Sequence, residues 1–308
     1  MGTRIIAASV MLALLMPGIT EALRPFLGVC VVTMLIVSLL RVDYGAFLGR
    51  LKQPVRAVSG AVWITVLIPV LALGTATLAG ADAAIILVVL FLFCSPPPIV
   101  SAPAFAMLMG LDGALVLAVM LLATIAMPIT ASLTAAAFVP DLPLDAVSLA
   151  LRLAGMIAVA FVVATVLRRW FGAQRIADAK PAFDTISVVI AVVFALGAMD
   201  GVGAALVSDP GFTLLAALGA FLFMLGQIAL TYALFRPLVG ADAVAIGYAA
   251  GNRNAGLFVA ALGLTDIDPT VWLFFALSQV PIFLFPLILQ PIGRRLSARS
   301  AAAPGVSP

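Results

Sequence analysis

Four residues, Gly251-Asn252-Arg253-Asn254, interrupt an apolar stretch that runs from about residue 241 to residue 264. Arg253 is a charged side chain near the middle of this stretch, where a guanidinium in a bilayer costs about 2.5 kcal/mol on insertion scales. Such a charge persists where water, an anion or protein oxygens surround it. The two asparagine side chains donate and accept hydrogen bonds at the same place. The segment therefore predicts a polar site inside a membrane.

A second interruption is rich in proline, and residues 95–103 read Ser-Pro-Pro-Pro-Ile-Val-Ser-Ala-Pro. Three consecutive prolines cannot continue a helix, because each removes an amide donor and clashes with the preceding turn. The freed backbone groups must face protein or a water-filled cavity. A simple proline kink is the alternative to a full break. The expected helix-break residues are Pro96, Pro97, Pro98 and Gly251.

A helix that restarts after a break presents unpaired amides and a partial positive charge, which suit an anion. We expect the restarts near Ser101 and Asn254. A small organic anion is then the predicted ligand, with no metal and no cofactor. In the alternative, Arg253 is an internal counter-ion that caps backbone carbonyls, with Asp184 or Asp200 as its partner. The candidate substrate-binding residues are Ser101, Asn252, Arg253, Asn254 and Gln279.

The composition sets the class of protein. The chain is 65% hydrophobic and 9% charged, with a mean hydropathy of +1.28, which excludes a soluble domain of 308 residues. It contains no histidine, so histidine-based catalysis and histidine metal sites are excluded, and we do not expect an enzyme. Cys30 and Cys94 both lie in apolar runs and predict no disulfide framework. The net charge of +3 lies in loops and does not predict nucleic-acid binding.

The hydrophobic segments have the length of membrane spans, about 20 residues each. The first could also be read as a secretory signal peptide, but we interpret it as a transmembrane helix. We expect ten spans, at about 5–23, 26–40, 57–79, 83–109, 111–139, 147–167, 183–204, 212–235, 241–264 and 270–292.

Lysine and arginine in the short loops predict the orientation in the lipid bilayer. With ten spans, every basic loop falls on one side, apart from Arg24. Both termini are then cytoplasmic, in a bacterial inner (plasma) membrane. The basic groups are Arg41, Arg50, Lys52 and Arg56, then Arg168, Arg169, Arg175 and Lys180, and finally Arg294, Arg295 and Arg299.

An internal repeat relates the two halves of the chain. A shift of 153 residues places Gly110-Leu111 on Gly263-Leu264 and superimposes the two polar interruptions. Five spans in each half is an odd number, so the halves have opposite orientations, as in secondary transporters. The predicted fold is an all-α polytopic protein of two inverted five-helix repeats, with broken helices 4 and 9 crossing. The units are residues 1–140, residues 141–299 and a disordered tail at 300–308.

Three regions of the chain share a pattern with a known family. The residues that carry the pattern are Leu39-Leu40-Arg41, Phe47, Arg50, Pro54, Arg56 and Ile68-Pro69, then the proline run followed by Ser101, and Gly251-Asn-Arg-Asn-Ala-Gly-Leu257. They resemble the bile acid:sodium symporter family. The resemblance implies a ten-helix fold with a panel domain (spans 1, 2, 6 and 7) and a core domain that move by alternating access. It also implies an organic-anion substrate, usually coupled to sodium.

The chain departs from that family at the sodium-coupling positions. The family has an acidic residue four positions before a Gln-Asn pair, where this chain has Ala249 and then Arg253-Asn254. Two further departures are Ser101-Ala102 for a Ser-Asn pair and Pro97-Pro98 for glycines. We therefore expect a carrier in which the fixed charge of Arg253 replaces sodium. The alternatives are an ordinary sodium symporter, and a channel or membrane sensor in which Arg253 is a structural latch.

Overall fold

The computed structural model describes residues 2–42, 44–51, 54–80, 84–263 and 267–301. Regular structure within these ranges is entirely helical, and one isolated antiparallel bridge joins Pro98 to Arg253. From residue 302 onward, the predicted disordered tail lies outside the described residues.

The helices follow one another with short connections. In the first half they are α1 Gly2–Ala13, α2 Pro17–Leu23, α3 Leu27–Leu40, α4 Tyr44–Leu51, α5 Pro54–Val62, α6 Ile68–Leu78, α7 Ala84–Cys94, α8 Ala102–Leu108 and α9 Gly113–Phe138. In the second half they are α10 Ala146–Phe171, α11 Ala173–Asp178, α12 Lys180–Ala198, α13 Val202–Ser208, α14 Pro210–Val239, α15 Asp242–Gly251, α16 Ala255–Leu262 and α17 Pro269–Ala301. A 3₁₀ turn at Arg24–Phe26 joins α2 to α3, and a π-helical turn at Trp63–Leu67 joins α5 to α6.

Seven helical stretches in the described part of the chain are long and apolar enough to cross a membrane. Their outward faces carry large apolar side chains such as Leu78, Leu151 and Val207, which are 89%, 68% and 85% exposed. Water would not cover such a surface favourably, whereas lipid tails would. The chain therefore has the architecture of a polytopic membrane protein. The seven stretches are Pro17–Leu40, Pro54–Leu78, Gly113–Phe138, Ala146–Phe171, Lys180–Ser208, Pro210–Val239 and Pro269–Pro286.

The first two predicted spans differ from the structure. Helix α1 ends at Ala13, and the chain is then continuously helical from Pro17 to Leu40. The break falls there because Met16 has a non-helical backbone (φ −131°, ψ 60°) and Pro17 stands in the first turn of α2. At residues 24–26, where the prediction separated the spans, the 3₁₀ turn carries the helix on.

The longer helices form two packed groups. Helices α10 and α12 both pack on α3, while α14 packs along α15 and α17. Helix α16 lies against α3 and α10. Its Gly256 faces Val31 and Phe194 so closely that a methyl group at this position would come within 3.0 Å of both side chains. Helix α16 therefore packs with the first group, and α1, which packs on both α12 and α17, joins the two groups.

Candidate functional site

Two non-helical segments lie side by side inside the bundle. Residues 95–101 separate α7 from α8, and residues 252–254 separate α15 from α16. The segments run antiparallel: the Ile99 N–H donates to the Asn252 carbonyl at 2.9 Å, and the Asn254 N–H donates to the Pro97 carbonyl at 2.8 Å. We call them the paired segments. Each segment supplies hydrogen-bond partners that the other has lost by leaving the helix.

The proline run determines which groups need partners. In a continuing helix, the carbonyls of residues 92, 93 and 94 would accept from the nitrogens of residues 96, 97 and 98. All three of those nitrogens belong to prolines and carry no hydrogen. The Phe93 carbonyl instead lies 3.4 Å from the side-chain nitrogen of Gln227, on α14. A side chain from another helix thus replaces the missing helical donor.

Arg253 is buried between the paired segments and α14, with 3% of its surface exposed. Its Nε and Nη2 donate to Oε1 of Gln227 at 3.0 and 2.9 Å. Its Nη1 donates to the carbonyls of Pro96 at 3.0 Å and Ile64 at 2.9 Å. Four of the five N–H groups of the guanidinium are therefore bound to protein oxygens. We call these groups the Arg253 network.

The Ile64 carbonyl is available because of the π-helical turn. In this turn the Ile68 N–H donates to the carbonyl of Trp63, five residues back. In the same register, the donor for Ile64 would be the nitrogen of Pro69, which carries no hydrogen. The Arg253 guanidinium supplies the missing donor. Single π turns of this kind frequently occur at functional sites.

Close packing of α14 against α15 brings Gln227 within reach. Gly247 and Gly251, one helical turn apart on α15, face the backbone of α14. A methyl group on Gly251 would lie 2.8 Å from the Met224 carbonyl, and one on Gly247 would lie 2.9 Å from the Ile228 carbonyl. Small residues spaced in this way let two membrane helices approach each other closely.

Asn252 lies behind the network and is fully buried. Its Nδ2 donates to the Tyr248 carbonyl at 2.9 Å, one turn back on α15. Its Oδ1 has no partner in the described part of the chain, and neither have the hydroxyls of Ser95 and Tyr248. These three polar atoms can still bind water or a ligand. Such binding would be favourable, since a buried polar group without a partner costs about 1–3 kcal/mol.

A cavity opens on the other side of the network, between the two helix groups. The space that the centres of water molecules could occupy is about 40 Å³, enough for roughly three waters. Ser101, Arg253, Asn254 and Gln279 bring polar atoms to its wall, and most of the remaining lining is apolar. The apolar lining includes Val31, Met34, Phe194, Ile282 and Phe283.

The N-terminus of α16 forms part of this wall. The Asn254 N–H is bound to Pro97, but the Ala255 and Gly256 amides, the first two of the helix, have no backbone partner in the described residues. The side chain of Asn254 makes no capping bond to them. Free amides at a helix start attract negative charge. The wall therefore contains both the start of α16 and the buried residue Arg253.

The structure brings most of the predicted binding residues together. Ser101, Arg253, Asn254 and Gln279 line the cavity, whereas Asn252 lies outside its lining. Gln279 is partly engaged, since its Nε2 donates to the Phe275 carbonyl of its own helix at 3.0 Å. In the described part of the chain, no three His, Cys, Asp or Glu side chains lie close enough together to hold a metal ion.

No protein-family model matches this chain, and no curated protein matches it.

Asp184 and Asp200 do not serve as partners of Arg253. Asp184 pairs with Arg41 at 2.6 Å, and Asp200 pairs with Arg24 at 3.2 Å. Both aspartates lie near helix ends, so local loop arginines reach them first. These pairings agree with the interpretation of both aspartates as residues at span ends rather than as partners of Arg253.

Sequence reasoning did not identify two members of the Arg253 network and one further arginine within an apolar segment. Gln227 was one of several lone polar residues on apolar helices, and its position alone did not show which neighbour it faces. The Ile64 carbonyl could have been suspected from Pro69, five residues later. Arg152 on α10 also lies within an apolar segment, and its Nη1 donates to the Ala261 carbonyl in the last turn of α16 at 3.0 Å.

Proposed function

We propose that this protein is a secondary carrier of a small organic anion, working by alternating access. In this proposal the chain makes ten spans in two inverted five-helix repeats. Helices α7 and α8 are the halves of one broken span, and α15 and α16 are the halves of the other. The substrate binds in the cavity beside the paired segments. The bile acid:sodium symporter family remains the family that the chain resembles.

The positions of the breaks support the repeat. The second halves begin at Ala102 and at Ala255, the residues that the shift of 153 superimposes. Antiparallel pairing of the two segments is what two oppositely oriented breaks would produce on meeting. The basic loop residues favour an inner (plasma) membrane with both termini cytoplasmic.

One observation carries the proposal: protein carbonyl oxygens bind the Arg253 guanidinium between the paired segments, and Arg253 stands two residues before the start of α16 in the cavity wall. The carbonyls of Pro96 and Ile64 and Oε1 of Gln227 are the kind of oxygen ligands that a hard cation would take. Because a guanidinium already holds them, a sodium ion there would lose its ligands and be repelled. A fixed cation in this place makes transport independent of sodium.

The experiment is uptake of radiolabelled small carboxylates into proteoliposomes with sodium replaced by choline. We expect saturable uptake at the same rate in both salts. Arg253→Gln should reduce uptake by at least tenfold, because the fixed charge is lost. Arg175→Gln removes an exposed arginine on α11 and serves as the matched control. A strict sodium requirement, or unchanged transport by Arg253→Gln, would overturn the proposal in favour of an ordinary sodium symporter.

A second candidate is a membrane sensor or channel in which Arg253 is a structural latch. The observation that favours it is the extent of the network, since four of the five N–H groups are held by protein. A sensor of this kind would bind a ligand without moving it across the bilayer, and a channel would conduct it without saturation. Counterflow separates the two, because a carrier exchanges labelled for unlabelled substrate with saturation, and a sensor does not exchange at all.

A further inference from the structure

The partner of the buried guanidinium is an amide. Gln227 accepts two hydrogen bonds from Arg253 through its one amide oxygen, where a carboxylate could offer two oxygens, and it brings no charge. None of the described salt bridges involves Arg253. The carboxylates that do form them lie near helix ends and belong to Asp112, Asp184, Asp200 and Asp242.

A buried charge without an opposite charge is costly, by several kcal/mol even after the protein has relaxed around it. Hydrogen bonds to neutral oxygens recover part of that cost and leave the net charge in place. The cavity is next to Arg253 and is otherwise mostly apolar. A ligand with one negative charge would neutralise the single positive charge of Arg253.

We infer that Gln227 is the residue that sets the charge selectivity of the site, and that the ligand is a small monovalent anion with a short apolar part. The inference rests on the proposed function, whose substrate it narrows. Because the side chain at position 227 is neutral, the net charge of the site stays at +1, and a monoanion can bind there. A second negative charge on the ligand would face no second cation, since Arg253 is the only cationic side chain in the cavity lining that the structure describes.

Glutamate can take the place of glutamine here with little change in shape. Its carboxylate would keep both bonds from Arg253. It would lose the 3.4 Å contact between the Gln227 amide and the Phe93 carbonyl, and that carbonyl would then have no donor. The substitution Gln227→Glu therefore changes the charge of the site from +1 to zero while the side-chain volume stays the same. A purely structural role of Gln227 would not make ligand charge matter to this variant.

The test is thermal unfolding of the purified full chain in detergent, with three probes of similar size. These are potassium propionate, potassium thiocyanate and the neutral amide propionamide. We expect the two anions, and not propionamide, to raise the melting temperature of the wild type. Gln227→Glu should melt above the wild type without ligand and should bind both anions at least tenfold more weakly. Gln174→Glu, at an exposed position on α11, is the matched control. It loses the bond from Gln174 Nε2 to Asp178 and can shift the melting temperature, but its response to the two anions should equal that of the wild type.

An equal response of wild type and Gln227→Glu to the anions would overturn the inference. A wild type stabilised by neither anion would overturn it too. If Gln227→Glu does not fold, Gln227→Asn offers a neutral, shorter amide and should keep the preference for anions over propionamide. Loss of that preference would count against a charge-based role.

The same measurements separate this inference from the carrier proposal. Discrimination by charge without any uptake in proteoliposomes would refute transport and leave the selectivity of Gln227 standing. Saturable uptake without discrimination by charge would refute the role of Gln227 and leave the carrier standing.

Discussion

At the scale of single residues, two prolines each leave a helix carbonyl without its backbone donor, and a buried side chain takes the donor's place. Pro69 leaves the carbonyl of Ile64 without its helical donor, and Arg253 takes that place at 2.9 Å. Pro97 does the same to Phe93, which Gln227 approaches. An unsatisfied buried carbonyl costs about 1–3 kcal/mol, so each replacement offsets a comparable loss. The polar network is thus required by backbone chemistry as well as by any ligand.

This predicts an energetic coupling between Pro69 and Arg253. Pro69→Ala supplies an N–H that can donate to the Ile64 carbonyl in the π register, and in the α register the Ile68 N–H can donate to it instead. Arg253→Gln should then cost about 1 kcal/mol less in the Pro69→Ala background than in the wild type. Denaturant unfolding of both single variants and the double variant measures the difference.

The matched control for this cycle is Pro210→Ala, at the start of α14, where a proline removes no helical bond. Its effect should add to that of Arg253→Gln without coupling. Additive effects of Pro69→Ala and Arg253→Gln would show that the guanidinium does not serve the Ile64 carbonyl.

At the scale of elements, the approach of α15 to α14 positions the network. Gly247 and Gly251 have no side chains, so the backbone of α15 can touch that of α14. Gln227 lies between Met224 and Ile228, whose carbonyls face the two glycines. A separation only 1 Å larger would take its oxygen beyond hydrogen-bond distance of Arg253. The glycines therefore act on the site without contacting it.

Gly251→Ala should disturb this packing. The new methyl group would lie 2.8 Å from the Met224 carbonyl and 2.4 Å from a carbon of Ile228, so the helices must separate. We expect a loss of about 1–3 kcal/mol in stability, typical of overpacking. Thermal unfolding in one detergent provides the measurement.

Gly219→Ala is the matched control, because it lies on α14 and a methyl group there meets nothing within 4 Å. It should be neutral or slightly stabilising, since alanine is the better helix former. Equal effects of the two substitutions would refute the role of close packing.

The helix breaks could be predicted from the sequence, but their partners could not. Consecutive prolines at 96–98 forbid a helix locally, and α8 starts at Ala102, next to the predicted Ser101. The division of the first two spans at residues 24–25 was wrong, because the chain is continuously helical from Pro17 to Leu40. The interruption at residues 96–98 follows from the local chemistry of proline, whereas the continuous helix from Pro17 to Leu40 depends on tertiary packing.

At the scale of the whole molecule, polar contacts between the two helix groups cluster at the Asp200 end. Trp272 of α17 donates its Nε1 to the Asp200 carbonyl, after α12, at 2.8 Å. The Arg24 guanidinium lies 4.0 Å from the centre of the Trp272 ring. At the opposite end, Arg41–Asp184 joins α3 to α12 within one group. We therefore expect the cavity to be closed at the Asp200 end and accessible from the other.

Labelling tests this expectation. A cysteine at Met34→Cys, in the cavity wall, should react with a membrane-impermeant maleimide only from the basic-loop side of oriented vesicles. Trp272→Phe removes one interhelical N–H and should raise labelling from the Asp200 side by about two- to tenfold. Mass spectrometry distinguishes the label from the native Cys30 and Cys94, both buried.

Trp170→Phe makes the same chemical change at a position that is 77% exposed, and it should leave labelling unaltered. Equal labelling from both sides in the wild type would contradict a closed Asp200 end.

The sequence located the polar centre of the molecule and not its partners. An arginine in an apolar segment is conspicuous on energetic grounds alone, and the prediction that Ser101, Asn254 and Gln279 accompany it agrees with the cavity lining. Their role in binding stays a prediction. Gln227 and the Ile64 carbonyl were not predicted. The face that a helix turns inward depends on packing between elements far apart in the chain, and the sequence does not show this packing.

The order in which the Arg253 network is made has a consequence for biosynthesis. The acceptors at Ile64, Pro96 and Gln227 all precede Arg253 in the chain, so a ribosome completes them first. Until residue 253 emerges, the nascent protein carries bare carbonyls in the bilayer, and α15 carries no cation to meet them. The first half of the chain therefore reaches its full set of hydrogen bonds only after a residue of the second half has been made.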